Sequence, residues 1–315
     1  MEILWLFFAL LISSVTGEGE KLIVIGGQGP DVNEVVDLFT DSLYENCTEI
    51  QRYPIGFVGG SALKNSDGLL FCGGQANYKE CFRYDVNDEN SWSLLNFGTI
   101  QHRVYSASAP YSADGWWITG GYHDQNSSLL STEILQSGSF VPGPNLPTPL
   151  YQHCLVRIDE TRYFLTGGLP YSTSAWIFDT NTQVWEEVAN PSVLRKSPYC
   201  GLSKTFNGEF QIVVSGGFDG MTPLDSVEIF SVSDQSWRFG PSLPQPMGRG
   251  ATSSYGDTFI LVGGYGDGGY VKDLYQYEPD SGTWATLPQK LQKGRSRHVA
   301  LVVDVKDLNC TQPLA

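Results

Sequence analysis

The stretch Phe259-Ile260-Leu261-Val262-Gly263-Gly264 decides the fold, because an apolar strand running into a glycine pair recurs along the chain. The six pairs are Gly26-Gly27, Gly73-Gly74, Gly120-Gly121, Gly167-Gly168, Gly216-Gly217 and Gly263-Gly264. Their first glycines lie 47, 47, 47, 49 and 47 residues apart, and the pair Gly59-Gly60 falls outside this register. A nearly constant step of this length indicates six copies of one structural unit.

Each unit has the same order of segments. In the last unit, a strand of small residues (251–255) precedes the apolar strand, and an alternating strand (274–277) and a tryptophan strand follow. The tryptophans of four units are Trp92, Trp185, Trp237 and Trp284, while Cys47 and Phe140 occupy this place in the first and third units. Period-two alternation between turn residues predicts strands. Four antiparallel strands repeated radially predict a β-propeller.

A glycine pair followed by an aromatic residue and a tryptophan at this spacing resembles the kelch repeat, across essentially all of residues 18–315. The resemblance implies an all-β, six-bladed kelch-type propeller and leaves its activity open. The repeat begins at a second strand, residues 21–25, and ends with a first strand, residues 298–303. Either strand alone would expose an unpaired edge. We therefore expect the C-terminal inner strand to join the N-terminal strands and close the ring in blade one.

The first residues predict export. Residues 5–12 form an apolar core too short to span a bilayer, and small residues allow cleavage after Gly17. We divide the chain into a signal peptide, residues 1–17, and a single propeller domain, residues 18–315. The expected product is a secreted, extracellular protein without a membrane span. A buried N-terminal strand is the alternative interpretation of the first segment.

Six cysteines without zinc-site spacing agree with an oxidising compartment. The expected disulfides are Cys47–Cys310 across the ring closure, Cys72–Cys81 within the second unit, and Cys154–Cys200 by elimination. Other connectivities stay open, because six cysteines allow 15 of them. The predicted glycosylation sites are Asn46, Asn126 and Asn309.

The charge balance argues against nucleic acid as a partner. The chain has 19 basic and 34 acidic residues, a net charge of −15, which repels phosphate backbones. Six arginines nevertheless lie near the turns between units: Arg52, Arg103, Arg195, Arg249, Arg295 and Arg297. Because guanidinium groups suit carboxylates, they could form an anion pocket. The alternative is that these arginines make hydrogen bonds between blades, as is common in kelch repeats.

We expect a non-enzymatic recognition module that binds an extracellular partner on the face of the inter-blade turns. The predicted ligand-binding residues are Arg103, Tyr122, Arg249, Tyr265 and Arg297, and the ligand is an acidic protein segment or an anionic glycan. We assign no catalytic residue, metal ligand or cofactor. A purely structural extracellular component is a further possibility.

Two enzymes of related propeller fold are the alternative function: a sialic-acid-type sugar mutarotase and a copper radical oxidase. The arginines at the channel mouth would serve the first. The imidazoles of His102, His123, His153 and His298 could serve the second, because copper accepts such ligands.

Overall fold

The computed structural model describes residues 20–29, 34–37, 53–66, 68–75, 79–85, 91–112, 114–123, 127–170, 173–304 and 308. In these ranges every helix or strand element is a β-strand, and no helix there could cross a membrane. Several predicted features lie outside the described residues: the signal peptide, the Cys47–Cys310 bond, and the sequons at Asn46, Asn126 and Asn309. These features stay predictions.

The described chain begins with β1 (Glu20–Ile25) and β2 (Glu34–Asp37). Blade I, which is the second of the units predicted from the sequence, contains β3 (Ser61–Asn65), β4 (Gly68–Cys72), β5 (Glu80–Asp85) and β6 (Ser91–Gly98). Blade II contains β7 (Ala107–Pro110), β8 (Trp116–Thr119), β11 (Thr132–Gln136) and β12 (Ser139–Pro142), and a short hairpin, β9 (Tyr122–His123) and β10 (Ser127–Ser128), interrupts it. Blade III contains β13 (Cys154–Arg157), β14 (Arg162–Thr166), β15 (Ala175–Asp179) and β16 (Val184–Val188).

Blade IV contains β17 (Tyr199–Lys204), β18 (Phe210–Ser215), β21 (Val227–Ser231) and β22 (Ser236–Gly240), interrupted by the hairpin β19 (Phe218–Asp219) and β20 (Thr222–Pro223). Blade V contains β23 (Met247–Gly248), β24 (Ala251–Tyr255), β25 (Thr258–Gly266), β26 (Gly269–Glu278) and β27 (Thr283–Lys290). The last strand is β28 (Val299–Asp304). All pairings within the blades are antiparallel.

The structure therefore contains five complete blades in its described part, where the sequence predicts six. The three remaining strands form a smaller sheet in the order β2-β1-β28, which we call the seam sheet. In it, β1 pairs antiparallel with β28, from Glu20 opposite Asp304 to Ile25 opposite Val299. The fourth strand predicted for this unit, around Cys47, lies outside the described residues, so the described part of this sheet has three strands.

Strand β1 is buried on both faces. Leu22 and Val24 pack in one apolar cluster with residues of blade V, whereas Ile23 and Ile25 pack in another with residues of blade I. A strand that is covered on both sides needs an unbroken apolar run rather than alternation. Each such side chain contributes about 1.5–3 kcal/mol of hydrophobic stabilisation.

The repeated tryptophans join neighbouring blades. All four lie on outer strands, and three of them donate a hydrogen bond from the indole N–H to a backbone carbonyl that follows the outer strand of the preceding blade. The bonds run from Trp185 to Asn145 (2.9 Å), from Trp237 to Ala189 (2.6 Å) and from Trp284 to Pro241 (3.0 Å). The indole thus supplies both buried apolar surface and a directional contact between blades.

Two of the three predicted disulfides are confirmed. Cys72 and Cys81 face each other on β4 and β5, with Cα atoms 4.2 Å apart. Cys154 and Cys200 join β13 of blade III to β17 of blade IV, with Cα atoms 6.2 Å apart. The second bond links two blades close to the centre of the molecule.

Candidate functional site

The innermost strands surround a central channel. It is lined by β3, β7, β13, β17, β24 and β28 and has a volume of about 580 Å³. Each of these strands contacts the innermost strand of the next sheet and the innermost strand of the preceding sheet. The residues just before these strands therefore meet at one mouth of the channel.

Six backbone hydrogen bonds form a closed circle at this mouth. The members have left-handed backbone conformations: Gly59 (φ 67°), Tyr105 (57°), Gln152 (58°), Ser197 (48°), Arg249 (59°) and Arg297 (59°). Each N–H donates to the carbonyl of the preceding member, at 2.6–3.1 Å, and Gly59 completes the circle by donating to Arg297. We call this set the mouth circle. Its five non-glycine members adopt a conformation that side chains usually disfavour by about 1–2 kcal/mol.

The arginines near the turns occupy two different positions. Arg249 and Arg297 belong to the mouth circle, whereas Arg103, Arg195 and Arg295 each lie two residues before a member of it. The last three side chains are at most 2% exposed. The side chain of Arg103, which was predicted as a ligand-binding residue, therefore points into the interior and not into the mouth, and ligand binding by it stays a prediction. Arg52 lies outside the described residues.

Arg103 makes a buried ion pair with Glu133 of β11. Its Nη2 lies 2.6 Å from the carboxylate, and its Nη1 donates to the backbone carbonyls of Gly120 and Ser131. Arg195 has the same arrangement with Glu228, at 3.3 Å. At this position arginine is a structural hydrogen-bond donor, although the alternative interpretation expected its bonds between blades. The bonds of Arg103 hold together the strands of its own blade.

The circle arginines lie over aromatic rings instead. The guanidinium carbon of Arg249 is 4.2 Å from the centroid of the Phe218 ring, and that of Arg297 is 4.6 Å from the centroid of the Tyr105 ring. Nη1 of Arg297 also donates to the Tyr105 hydroxyl at 2.7 Å. Such stacking is worth about 0.5–2 kcal/mol and fixes the plane of each guanidinium.

Lys196 completes a cluster of three positive charges, which we call the cationic mouth: Lys196, Arg249 and Arg297. Burial lowers the pKa of Arg249, and the charge of Arg297 lowers it further. Burial also lowers the pKa of Lys196, followed by the charges of Arg249 and Arg297. Among the described residues, no carboxylate forms an ion pair with any of the three. The positive charges of these three side chains therefore repel one another, and no carboxylate of the described residues compensates them.

The cationic mouth borders a small cavity. Its volume is about 140 Å³, and members of the mouth circle line it together with His153 and His298. The cavity has room for several water molecules or for one small anionic group. The Nε atoms of Arg249 and Arg297 are buried here without a hydrogen-bond acceptor.

The two predicted tyrosines occupy different blades. Tyr265 lies opposite Gly248 in blade V, beside Arg249, and is 37% exposed. Tyr122 lies in blade II, where its ring is 4.9 Å from that of Tyr151. The structure thus groups Tyr265 with Arg249 and Arg297 and places Tyr122 in another loop of the same face.

Tyr105, Lys196 and Phe218 were not predicted as site residues. Phe218 directly follows a glycine pair, a position that the repeat singles out. Tyr105 follows Arg103 by two residues, as Arg297 follows Arg295, so this local spacing could have indicated it. No spacing signal distinguishes Lys196 from the other lysines of the chain.

The histidines do not form a metal site among the described residues, where no group of three metal-ligating side chains occurs. His153 and His298 are buried, and burial lowers the pKa of both to about 3, helped by Arg103 and Arg295 respectively. Nε2 of His153 shares a hydrogen bond with the Thr119 hydroxyl at 2.8 Å. These imidazoles are neutral at physiological pH.

Comparison with known proteins agrees with this architecture. Residues 127–308 match the family profile described as the KLHDC2/KLHL20/DRC7 Kelch-repeats domain. Kelch repeat and BTB domain-containing protein 12 of Danio rerio is 24% identical over 266 residues, which are 75% of this chain and 42% of that protein. Spermatocyte protein spe-26 of Caenorhabditis elegans is 33% identical over 256 residues, which are 76% of this chain and 43% of that protein.

The chain thus spans about two fifths of the length of these curated relatives. Among solved structures, that of YjhT superimposes with a TM-score of 0.72 at 13% identity, and the match covers 85% of this chain and 94% of YjhT. At this identity the likeness concerns the fold alone. Because the family profile covers more than half of the sequence, the chain belongs to the kelch-repeat β-propellers.

Proposed function

We propose that this propeller is a non-enzymatic recognition module that binds an acidic segment of a partner protein at the cationic mouth. One observation carries the proposal: Lys196, Arg249 and Arg297 converge at the channel mouth without a carboxylate partner in the described part of the chain. Kelch relatives indicate a protein-interaction module. That favours a protein ligand over the anionic glycan.

The cations of the mouth differ from the fully buried arginines in their partners. Arg103 and Arg195 are each matched by a glutamate, whereas the half-buried mouth cations are not, although the chain as a whole has a net charge of −15. A partly desolvated cation loses hydration that an incoming carboxylate can replace with charge-assisted hydrogen bonds. An acidic ligand would relieve the mutual repulsion of the three cations as well.

The arginines are held in place before a ligand arrives. The rings of Phe218 and Tyr105 support the two guanidinium planes, and the circle of hydrogen bonds fixes the backbone from which they project. A side chain that is already ordered loses less conformational entropy on binding, which would otherwise cost about 0.5–1.5 kcal/mol per side chain. This arrangement supports recognition at fixed geometry.

The seam sheet, in our proposal, is the sixth blade, and its β1–β28 pairing closes the ring. The pairing of six consecutive residues and the six-membered mouth circle support this assignment. A Cys47–Cys310 disulfide would lock it, and mass spectrometry of unreduced peptides tests that bond. Peptides linking either cysteine to a different partner would contradict it.

Secretion and N-glycosylation are part of the same proposal. The two disulfides of the described residues support an oxidising compartment. When the full chain is expressed in secretory cells, the culture medium should contain a protein that begins at Glu18 and loses mass on deglycosylation. Retention in the cytosol with an intact N-terminus would overturn this part.

The ligand proposal is tested with an Arg249→Gln/Arg297→Gln variant. A matched control, Arg162→Gln/Lys204→Gln, removes the same charge at the hairpins of the opposite end of the propeller. Hydrogen bonds to charged groups contribute about 1.5–3 kcal/mol, so each lost guanidinium should weaken binding at least about tenfold. The probes are an array of acidic peptides and an array of sulfated glycans.

We expect the parent and the control to bind acidic peptides, with affinity that falls as salt rises, and the mouth variant to lose this binding. Equal peptide binding by parent and mouth variant would overturn the proposal. Binding to sulfated glycans alone would replace the protein ligand with a glycan.

A further inference from the structure

Two β-hairpins beside the cationic mouth expose large apolar side chains. Met221, at the tip between β19 and β20, is 87% exposed. Tyr265 and Tyr270, on the hairpin of β25 and β26, are 37% and 46% exposed, with ring centroids 5.4 Å apart. We call residues 218–223 and 265–270 the apolar hairpins. Side chains of these types are often energetic centres of protein interfaces.

Both apolar hairpins are built onto the cationic mouth. The first begins with Phe218, whose ring supports Arg249. The second begins with Tyr265, which pairs with Gly248, the residue before Arg249. A Cβ atom at Gly248 would lie 2.9 Å from the Phe218 ring and 2.7 Å from the backbone of the neighbouring blade, so only glycine permits this close packing. The hairpins of blades IV and V therefore flank Arg249 on two sides.

The distance between the charges and the apolar tips suits a short peptide. Met221 follows Phe218 by three residues, and an extended chain rises about 3.3 Å per residue, so the tip lies within about 10 Å of the ring that supports Arg249. An extended ligand covers that distance with three residues. Methionine is flexible and polarizable, which lets its side chain adapt to different apolar partners.

We propose that the apolar hairpins bind a large aliphatic or aromatic side chain located one to four residues from the acidic residue held at the cationic mouth. The partner is then a protein segment that combines both features, and Met221 and Tyr270 determine the specificity. This inference depends on the proposed function of the mouth. The apolar contact also excludes water from the neighbouring ion pairs, which strengthens them.

The test uses Met221→Ser/Tyr270→Ser, two substitutions that leave the cations untouched. The matched control is Phe206→Ser, because Phe206 is 91% exposed on a hairpin of the opposite face. Since all three side chains are exposed, we expect equal melting temperatures for the variants and the parent. The probes are two arrays of ten-residue peptides that carry a Glu-Glu pair. One array has Leu or Trp at one to four positions after the pair, and the other has Ser in its place.

We expect the parent and Phe206→Ser to prefer the best apolar-containing peptide about tenfold over its serine counterpart. Met221→Ser/Tyr270→Ser should lose this preference and keep its affinity for the serine peptide. An unchanged preference in this variant, together with lost binding in Arg249→Gln/Arg297→Gln, overturns the role of the hairpins and leaves the proposed function intact. If neither double variant alters peptide binding, both proposals fail.

Discussion

The ion pair of Arg103 and Glu133 provides a quantitative test of how blade II is held together. The exposed fractions of the two residues are 1% and 2%. The carboxylate also accepts hydrogen bonds from the backbone N–H groups of Ile100 (2.6 Å) and Gln101 (2.9 Å). Substituting Glu133→Gln removes the negative charge and leaves the Arg103 guanidinium buried without a counter-ion.

Breaking one partner of a buried pair costs about 3–5 kcal/mol. With an unfolding entropy of about 2.1 cal/mol/K per residue, 1 kcal/mol moves the melting temperature of a domain of about 300 residues by about 1.6 °C. We therefore expect Glu133→Gln to melt roughly 5–8 °C below the parent. The double variant Arg103→Met/Glu133→Gln has no buried charge and keeps an amide oxygen for a backbone N–H group. It should recover at least half of the loss.

The measurement is the thermal midpoint of the circular dichroism signal, combined with peptide binding at a temperature where every variant is folded. Because Arg103 does not reach the cationic mouth, the double variant should bind acidic peptides like the parent. A Glu133→Gln protein that melts within about 3 °C of the parent would refute the buried pair. Peptide binding lost in the double variant without a loss of stability would restore Arg103 to the ligand site.

Three further outcomes are expected. Replacing Cys154 and Cys200 with serine removes a loop closure over 46 residues, which the chain-entropy relation values at about 4 kcal/mol; an unchanged denaturant midpoint would contradict it. Because burial holds the pKa of His153 and His298 at about 3, the unfolded chain gains protons that the folded protein does not as the pH falls from 6.5 to 3. The free energy of unfolding therefore falls below pH 6.5 by up to about 1.4 kcal/mol per pH unit for each histidine. Replacing both histidines with glutamine should make the dependence of this free energy on pH less steep, and an equally steep dependence would contradict this cause. Trp237→Phe removes the hydrogen bond to Ala189 and should lower the free energy of unfolding, measured in urea, by about 1–2 kcal/mol. An unchanged free energy of unfolding would contradict a role for the indole N–H.

The spacing of the glycine pairs was sufficient to predict the propeller, because a repeat of 47 residues leaves few other architectures. The Cys72–Cys81 bond followed from placing both residues on consecutive strands. Arg103 shows what the spacing could not resolve. Arg103 lies two residues before a member of the mouth circle. The arginines at the mouth have a positive φ and the interior arginines do not, and this difference cannot be recognised from the residue type.

The chemistry of the site was only partly accessible for a related reason. Arg249 and Arg297 were predicted from charge, but their supporting rings, Phe218 and Tyr105, come from a neighbouring blade and from across the mouth. Contacts of this kind depend on how adjacent blades pack, and no pattern within one unit encodes them. The same holds for Lys196.

The hydrogen bonds of the mouth circle join main-chain atoms alone, so several types of side chain can occupy its positions. Glycine, tyrosine, glutamine, serine and arginine all occur there in nearly the same backbone geometry. Natural selection could therefore exchange these residues to suit a new target while the scaffold keeps its shape. In this protein, the specificity for a ligand can therefore change while the fold stays the same.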